Sequence, residues 1–234
     1  MTRVSTVDDL ATKISAAIMT GELPVGMWLR QEALAETFGV SRQPIREALR
    51  QVQASGMVQV FPHRGALVRG PSPRDIREAY LVRSELEGLA AELASANRTP
   101  ESLERLWRAE EAFRQTAASA LEVTLGDDVR GDYGWGHAND MFHYAVLDAA
   151  DVPVLRRTIE DLHRVVPRNL TWSAIRNRRL LEENVRQHQA VRVAIESGDA
   201  AVARAAMAGH IKRSGDLIAE WFEKRQREDG AAGA

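Results

Sequence analysis

Three histidines fall where helical patterning puts them inside. His143, His188 and His210 each sit on the apolar stripe of a different predicted helix. The first stripe runs Asn139, Phe142, His143, Val146, Leu147. The second runs Leu181, Val185, His188, Arg192, Ile195, and the third Ala203, Met207, His210, Ser214, Leu217. A lone histidine on such a stripe is usually a hydrogen-bonded core residue. Three on three helices suggest a ligand set, because neutral imidazole is the commonest protein ligand for zinc and related metals. Asn139 and His143, four apart, point the same way and form a potential ligand pair. The expected metal is Zn, with Ni or Mn as alternatives. Three nitrogens and one oxygen leave positions open for the carboxylate or hydroxyl of a small ligand. A fourth stripe, Ile76, Tyr80, Arg83, Glu87, Ala90, Ala94, carries two charges. Buried charges pair or line a polar cavity. Either Arg83 and Glu87 pair with each other, or Arg83 clamps a ligand carboxylate.

A second constellation lies near the N-terminus. Ser41 is placed as a helix N-cap whose hydroxyl accepts from a first-turn N–H, and Pro44 fits the first turn. Ile45, Ala48, Leu49 and Val52 form one buried face. Ser41, Arg42, Gln43 and Arg46 lie off that face, at the exposed tip. Arginines and small polar groups at the tip of a half-buried helix suit a DNA major groove. The alternative is an ordinary amphipathic helix with solvated arginines, and the neighbouring elements decide between them.

Those elements read as follows. Thr6 with Asp9 resembles a cap with a first-turn acid. Leu10, Ile14, Ala17 and Ile18 give a helix ended by Gly21. Gln31 to Phe38 is a second helix, broken at Gly39, and the Ser41 helix follows at helix-turn-helix spacing. Met57–Phe61 and Ala66–Val68 read as a hairpin around Pro62-His63-Arg64-Gly65. Its basic tip suits a phosphate or a minor groove. Beyond the Pro71-Ser72-Pro73 linker, six helices are predicted. They run from about Pro73 to Ala96, from Thr99-Pro100 to near Ala120, from Trp135 to Ala149, from Val152 to Trp172, from Leu180 to Glu196 and from Asp199 to Phe222. A Gly/Asp-rich loop covers Leu125 to Gly136. The fold class is therefore mainly α: a winged helix-turn-helix (1–69), a linker (70–73), an all-α six-helix bundle (74–223) and a flexible tail (224–234).

Composition sets the outer limits. The chain is 44% hydrophobic and 27% charged, with no cysteine, which excludes disulfides and thiolate metal sites. No run of about 18 apolar residues suggests a membrane span, no secretory pattern opens the chain, and a cytoplasmic location is expected. Net charge is −2. Residues 1–69 carry eight basic against six acidic side chains, and the remainder 23 against 27, so only the head is slightly basic.

The N-terminal part resembles bacterial regulators of the GntR family. The matching residues are Ile18-x-x-Gly21-x-x-Pro24-x-Gly26-x-x-Leu29, Glu32-x-Leu34-Ala35-Glu36, Gly39-Val40-Ser41-Arg42-x-Pro44-Ile45-Arg46-Glu47-Ala48-Leu49 and Arg64-Gly65-x-x-Val68. The resemblance implies that Arg42, Arg46 and the wing touch operator DNA, with Ser41, Gln43, Pro44, His63, Arg64 and Gly65 completing the interface. Some members use an arginine at the Glu32 position on DNA; Glu32 cannot do that. The remainder is similar to the FCD ligand-binding domain of the FadR-like branch, in its shorter, VanR-type version. Val82-Arg83-x-x-Leu86-Glu87 matches its first helix, and Phe142-His143, His188 and His210 match its metal histidines. Metal-binding members typically carry aspartate where Asn139 stands, with Asp140 beside it here. Asn139 ligates without adding charge, or Asp140 substitutes.

The function implied is transcription regulation, as a repressor. The expected partners are double-stranded operator DNA, a small organic-acid or sugar-acid effector held by the metal and Arg83, and a second copy in a homodimer. The alternative is a helical metal-dependent enzyme with a DNA-binding head. Neither an HExxH motif nor a phosphate loop supports it, and no spare general base stands beside the histidines. His137 and His163 read as loop and helix-surface residues.

Overall fold

The computed structural model describes residues 6–20, 22–62, 64–69, 71–123, 134–163, 171, 174 and 178–232. The chain divides into two compact units, one of Met1–Ser72 and one beginning at Pro73.

In the first unit, α1 (Val7–Thr20), α2 (Gln31–Phe38) and α3 (Arg42–Ala54) surround a core of Leu10, Ile14, Ile18, Leu34, Ile45, Ala48, Leu49 and Val52. Each fully buried Leu or Ile there contributes roughly 1.5–3 kcal/mol. A reciprocal capping box starts α1: Asp9 N donates to Thr6 Oγ1 at 3.2 Å, and Thr6 N to Asp9 Oδ2 at 3.4 Å. Gly39 ends α2 in the left-handed conformation, φ 64°. Ser41 occupies the N-cap of α3 with extended backbone angles, but its hydroxyl makes no capping hydrogen bond. The expected cap is thus positional only.

The wing hairpin, β2 (Val58–Phe61) and β3 (Gly65–Val68), gains a strand that sequence patterning does not reveal. A two-residue β1 (Trp28–Leu29) pairs antiparallel with β3, giving the order β1-β3-β2. Two residues are too few to show alternation. Gly65 makes this approach possible. Its φ is +100°, and a Cβ there would lie 2.3 Å from the Leu29 carbonyl oxygen.

The second unit is helical among its described residues: α4 (Pro73–Ala96), α5 (Pro100–Val123), α6 (Trp135–Ala150), α7 (Pro153–His163), α8 (Arg178–Ser197) and α9 (Ala200–Ala232). Thr99 caps α5 through a 3.2 Å bond from Ser102 N, and Asp199 caps α9 through a 3.1 Å bond from Val202 N. Helices α4 and α9 pack closely where Gly215 faces Tyr80; a Cβ at Gly215 would come within 2.4 Å of the Tyr80 Cβ. Phe113, Ala117, Ala120, Trp135, Ala138 and Leu181 join α5, α6 and α8 in one apolar cluster.

Two boundaries differ from expectation. The tail expected to be flexible from 224 continues α9 to Ala232. Its Glu, Lys, Arg and Gln residues are good helix formers, and Arg227 Nε donates to the Glu223 carbonyl at 3.2 Å. Helix α7 is described only to His163; its expected extension toward Trp172, like most of the 125–136 loop, lies outside the described residues.

Candidate metal centre and nucleic-acid interface

Helices α6, α8 and α9 bring His143, His188 and His210 together. All three are buried, and one ring nitrogen from each lies within 4.8 Å of the others. His143 Nε2 and His188 Nε2 are 3.5 Å apart. Phe113 and Phe142 wall the centre, with ring centroids 4.1 and 4.4 Å from that of His188.

The surroundings of the imidazoles suit a metal. His143 Nδ1 lies 2.8 Å from Glu87 Oε2. His210 Nδ1 is 2.9 Å from Gln187 Oε1. A carboxylate or carbonyl on Nδ1 holds the proton there and leaves the Nε2 lone pair for an ion. Gln187 is oriented in turn: its Nε2 donates to Glu183 Oε1 at 3.3 Å, and Arg213 Nε donates to the same oxygen at 3.2 Å. Burial, and then the neighbouring imidazoles, holds His188 well below the usual histidine range. Burial and His143 push His210 down to about 3. Neutral rings are what a divalent ion requires.

Glu87, 2% exposed, links this centre to α4 and α7. Burial would raise its carboxyl, but Arg83 and the contacts with His143 and His163 outweigh that and hold it well below the usual carboxylate range. Arg83 donates to Glu87 Oε1 from Nε at 3.0 Å and Nη2 at 2.9 Å, with its guanidinium 4.4 Å from the centre of the Tyr80 ring. The two stripe charges therefore pair with each other, the first of the two alternatives. His163 Nε2 is 3.3 Å from Glu87 Oε1. That corrects its reading as a surface residue: the α7 stripe Leu155, Ile159, His163 points it inward at i, i+4, i+8. His137 is exposed in the first turn of α6 rather than in a loop. Asn139 is half-buried and Asp140 buried, and Asp140 does not belong to the converging three-histidine group.

In the first unit, Ser41, Arg42, Gln43 and Arg46 are exposed at the tip of α3, and Pro44 is half-buried. Arg64 is exposed on the wing, its guanidinium 5.7 Å from the Trp28 ring centre, and Trp28 packs on Phe61. Gly65 is buried and shapes the wing instead of facing outward; His63 lies outside the described residues. A cleft of about 1050 Å³ opens between α3 and the wing, lined among others by Arg30, Arg46, Arg50 and Arg64. Glu32, also on this cleft, ion-pairs with Arg42 at 2.8 Å.

Residues 6–68 match the bacterial regulatory proteins of the gntR family, and residues 78–213 match the FCD domain. The chain is 31% identical over 212 residues to the "Probable D-xylose utilization operon transcriptional repressor" of Paenarthrobacter nicotinovorans, covering 90% of this chain and 88% of that one. The chain belongs to the GntR family. Within it, this FCD-bearing regulator is also 27% identical to LutR of Bacillus subtilis, over 88% of this chain and 98% of LutR. The solved structure of E. coli McbR/YncC shares its fold, with a TM-score of 0.63 and 24% identity over 94% of this chain and 99% of that one. These GntR-family relatives carry regulators' names, and the enzyme alternative finds no support among them.

The FCD span of this GntR-family chain contains all three histidines, Arg83 and Glu87. Sequence reading missed the roles of Gln187 and His163. His163 was signalled by the α7 stripe. Gln187 had no signal, because its partner lies on another helix 23 residues away. No described helix is long and apolar enough to cross a membrane.

Proposed function

We propose that this regulator is a homodimeric repressor whose operator affinity is set by a small organic-acid or sugar-acid effector bound in the helical unit together with a divalent metal. The observation that carries this reading is the convergence of three buried imidazoles on one point. Zn is the first candidate; Ni and Mn suit the same donors. His143, His188 and His210 would hold the ion, with the Asn139 carboxamide as oxygen ligand. The ion would polarise and anchor the effector's carboxylate. Arg83 would exchange part of its pairing with Glu87 for that carboxylate, which gives the effector a differential grip on two states of the bundle. On DNA, Arg42 and Arg46 read base edges from α3. Ser41, Gln43 and Pro44 fit the helix tip to the backbone, and the wing contributes His63 and Arg64 on a turn shaped by Gly65. One recognition helix reads few bases, so a dimer on paired half-sites supplies specificity. Repression agrees with the D-xylose utilization operon repressor named above and with a 25% identical relative, the transcriptional repressor RspR of Escherichia coli. A cytoplasmic location follows from DNA binding.

The first experiment is elemental analysis of tag-free protein beside His188→Ala. One divalent ion per chain in the wild type, lost in the variant, is expected. Chelating hydroxy and sugar acids are then screened for release of the metal-loaded protein from DNA. Absence of metal after incubation with zinc, nickel and manganese would remove the metal from this reading.

A further inference from the structure

Two of the three imidazoles have an acceptor oxygen close to the nitrogen away from the shared point: Glu87 Oε2 lies 2.8 Å from His143 Nδ1 as an ion-pair contact, and Gln187 Oε1 lies 2.9 Å from His210 Nδ1. The third does not. His188 Nδ1 is buried with no hydrogen-bond partner. Four residues earlier on the same buried face of α8, Asn184 is 5% exposed, and its carboxamide oxygen is likewise buried without a partner. An unmatched ring nitrogen and an unmatched carboxamide oxygen thus lie one helical turn apart, not bonded to each other as they stand, so pairing them takes a turn of the Asn184 side chain. Side chains on a helix lean toward its N-terminus, so the His188 ring stands over the turn that carries Asn184. Leaving both groups desolvated and unpaired is costly.

We infer that Asn184 is the positioning residue for His188: its Oδ1 accepts the Nδ1–H of His188 and so presents the opposite ring nitrogen, Nε2, to the metal. The inference rests on the metal reading above and extends it to one specific residue. Each histidine then has its own acceptor: a carboxylate from α4, and two carboxamides from α8. The balance is simple. A neutral imidazole carries one proton, and placing it on Nδ1 frees the Nε2 lone pair. Asn184 carries no charge, so it orients the ring without adding to the negative charge around the ion. Metal ligands are commonly supported in this way, and loss of such support typically weakens binding about 10- to 100-fold.

Cobalt(II) is the probe, because its visible spectrum reports the ligand set while titration against a competing chelator gives affinity. Full-length wild type, Asn184→Ala and Asn184→Asp are compared, with imidazole N–H resonances followed by NMR. Asn184→Ala should bind one cobalt with an unchanged spectrum, about tenfold or more weakly, and lose the exchange-protected His188 N–H signal. Asn184→Asp supplies an acceptor of the same length and should restore both affinity and signal. Equal affinity in Asn184→Ala with the signal retained would overturn the assignment. So would a shifted cobalt spectrum, which would make Asn184 a direct ligand. If Asn184→Ala does not fold, Asn184→Asp decides alone: full affinity with the signal present supports the role, and loss of both overturns it. A wild type that binds no cobalt would remove the metal reading and this inference together; wild-type binding with no effect of Asn184→Ala removes only the inference.

Discussion

The head and the helical unit place charge in opposite ways. On the α3 tip and wing, Arg42, Arg46 and Arg64 are exposed, and their contacts are few: an ion pair to Glu32 and the face of Trp28. In the helical unit, Arg83, Glu87 and three histidines are buried and lie close together across α4, α6, α8 and α9. The difference teaches what each surface is for. Groups that await a polyanion stay solvated, and their cost is met when phosphates arrive. Groups that, on the proposed function, would hold a small ion or acid are desolvated in advance.

The contrast is most easily broken at Glu87. Glu87→Leu should destabilise the helical unit by about 3–5 kcal/mol, because Arg83 is left buried without a counter-charge. Arg83→Met added to it should recover much of the loss. Urea unfolding followed by circular dichroism measures both, and a Glu87→Leu midpoint equal to the wild type would show the pair to be incidental.

Acid tests the same unit. His188 and His210 are depressed in the folded state, so the unfolded chain binds their protons first. Stability of the metal-free protein is therefore full above about pH 6.5. It should fall steadily as pH drops toward the folded value of His210, about 3. His188→Phe combined with His210→Leu should flatten that slope; an unchanged slope would place the acid sensitivity elsewhere.

For the head the expectation reverses: function changes while stability does not. Arg46→Ala should weaken binding to an operator selected from random DNA by about 1–3 kcal/mol. Its unfolding free energy should stay within about 0.5 kcal/mol of the wild type. Unchanged affinity would end the role of α3 in recognition. The smallest effect belongs to Glu32→Gln. An exposed pair contributes less than about 1 kcal/mol, so the fold should not respond. Non-specific DNA binding should rise a few-fold, with a slightly steeper salt dependence, as a repelled carboxylate leaves the phosphate surface. A fall in non-specific binding would mean that Glu32 holds Arg42 in a productive pose.

The two regions also differ in how readable they were. The head is specified by neighbours in sequence: a stripe of Ile45, Ala48, Leu49 and Val52, a left-handed Gly39, a hairpin around Gly65. Strand β1 escaped, because its pairing partners are 37 and 39 residues away and two residues show no pattern. In the helical unit the stripes placed Arg83, Glu87 and the three histidines on buried faces. They could not say what each would meet across the bundle. Gln187 on His210 and Glu87 on His143 are contacts between helices, created by packing and absent from any single helical pattern.

The short strand β1 has a mechanical consequence. Because it pairs with β3 just before α2 begins, the wing is tied by backbone hydrogen bonds to the segment that leads into the helix-turn-helix. Wing and recognition helix then form a plate of fixed span rather than two independent fingers. A plate fits only duplexes whose grooves present both contacts at the right separation, and a sequence that must be bent or narrowed to comply pays elastic energy. On the proposed function, the head would gauge DNA shape as well as read bases, and base pairs it never touches would belong to its operator.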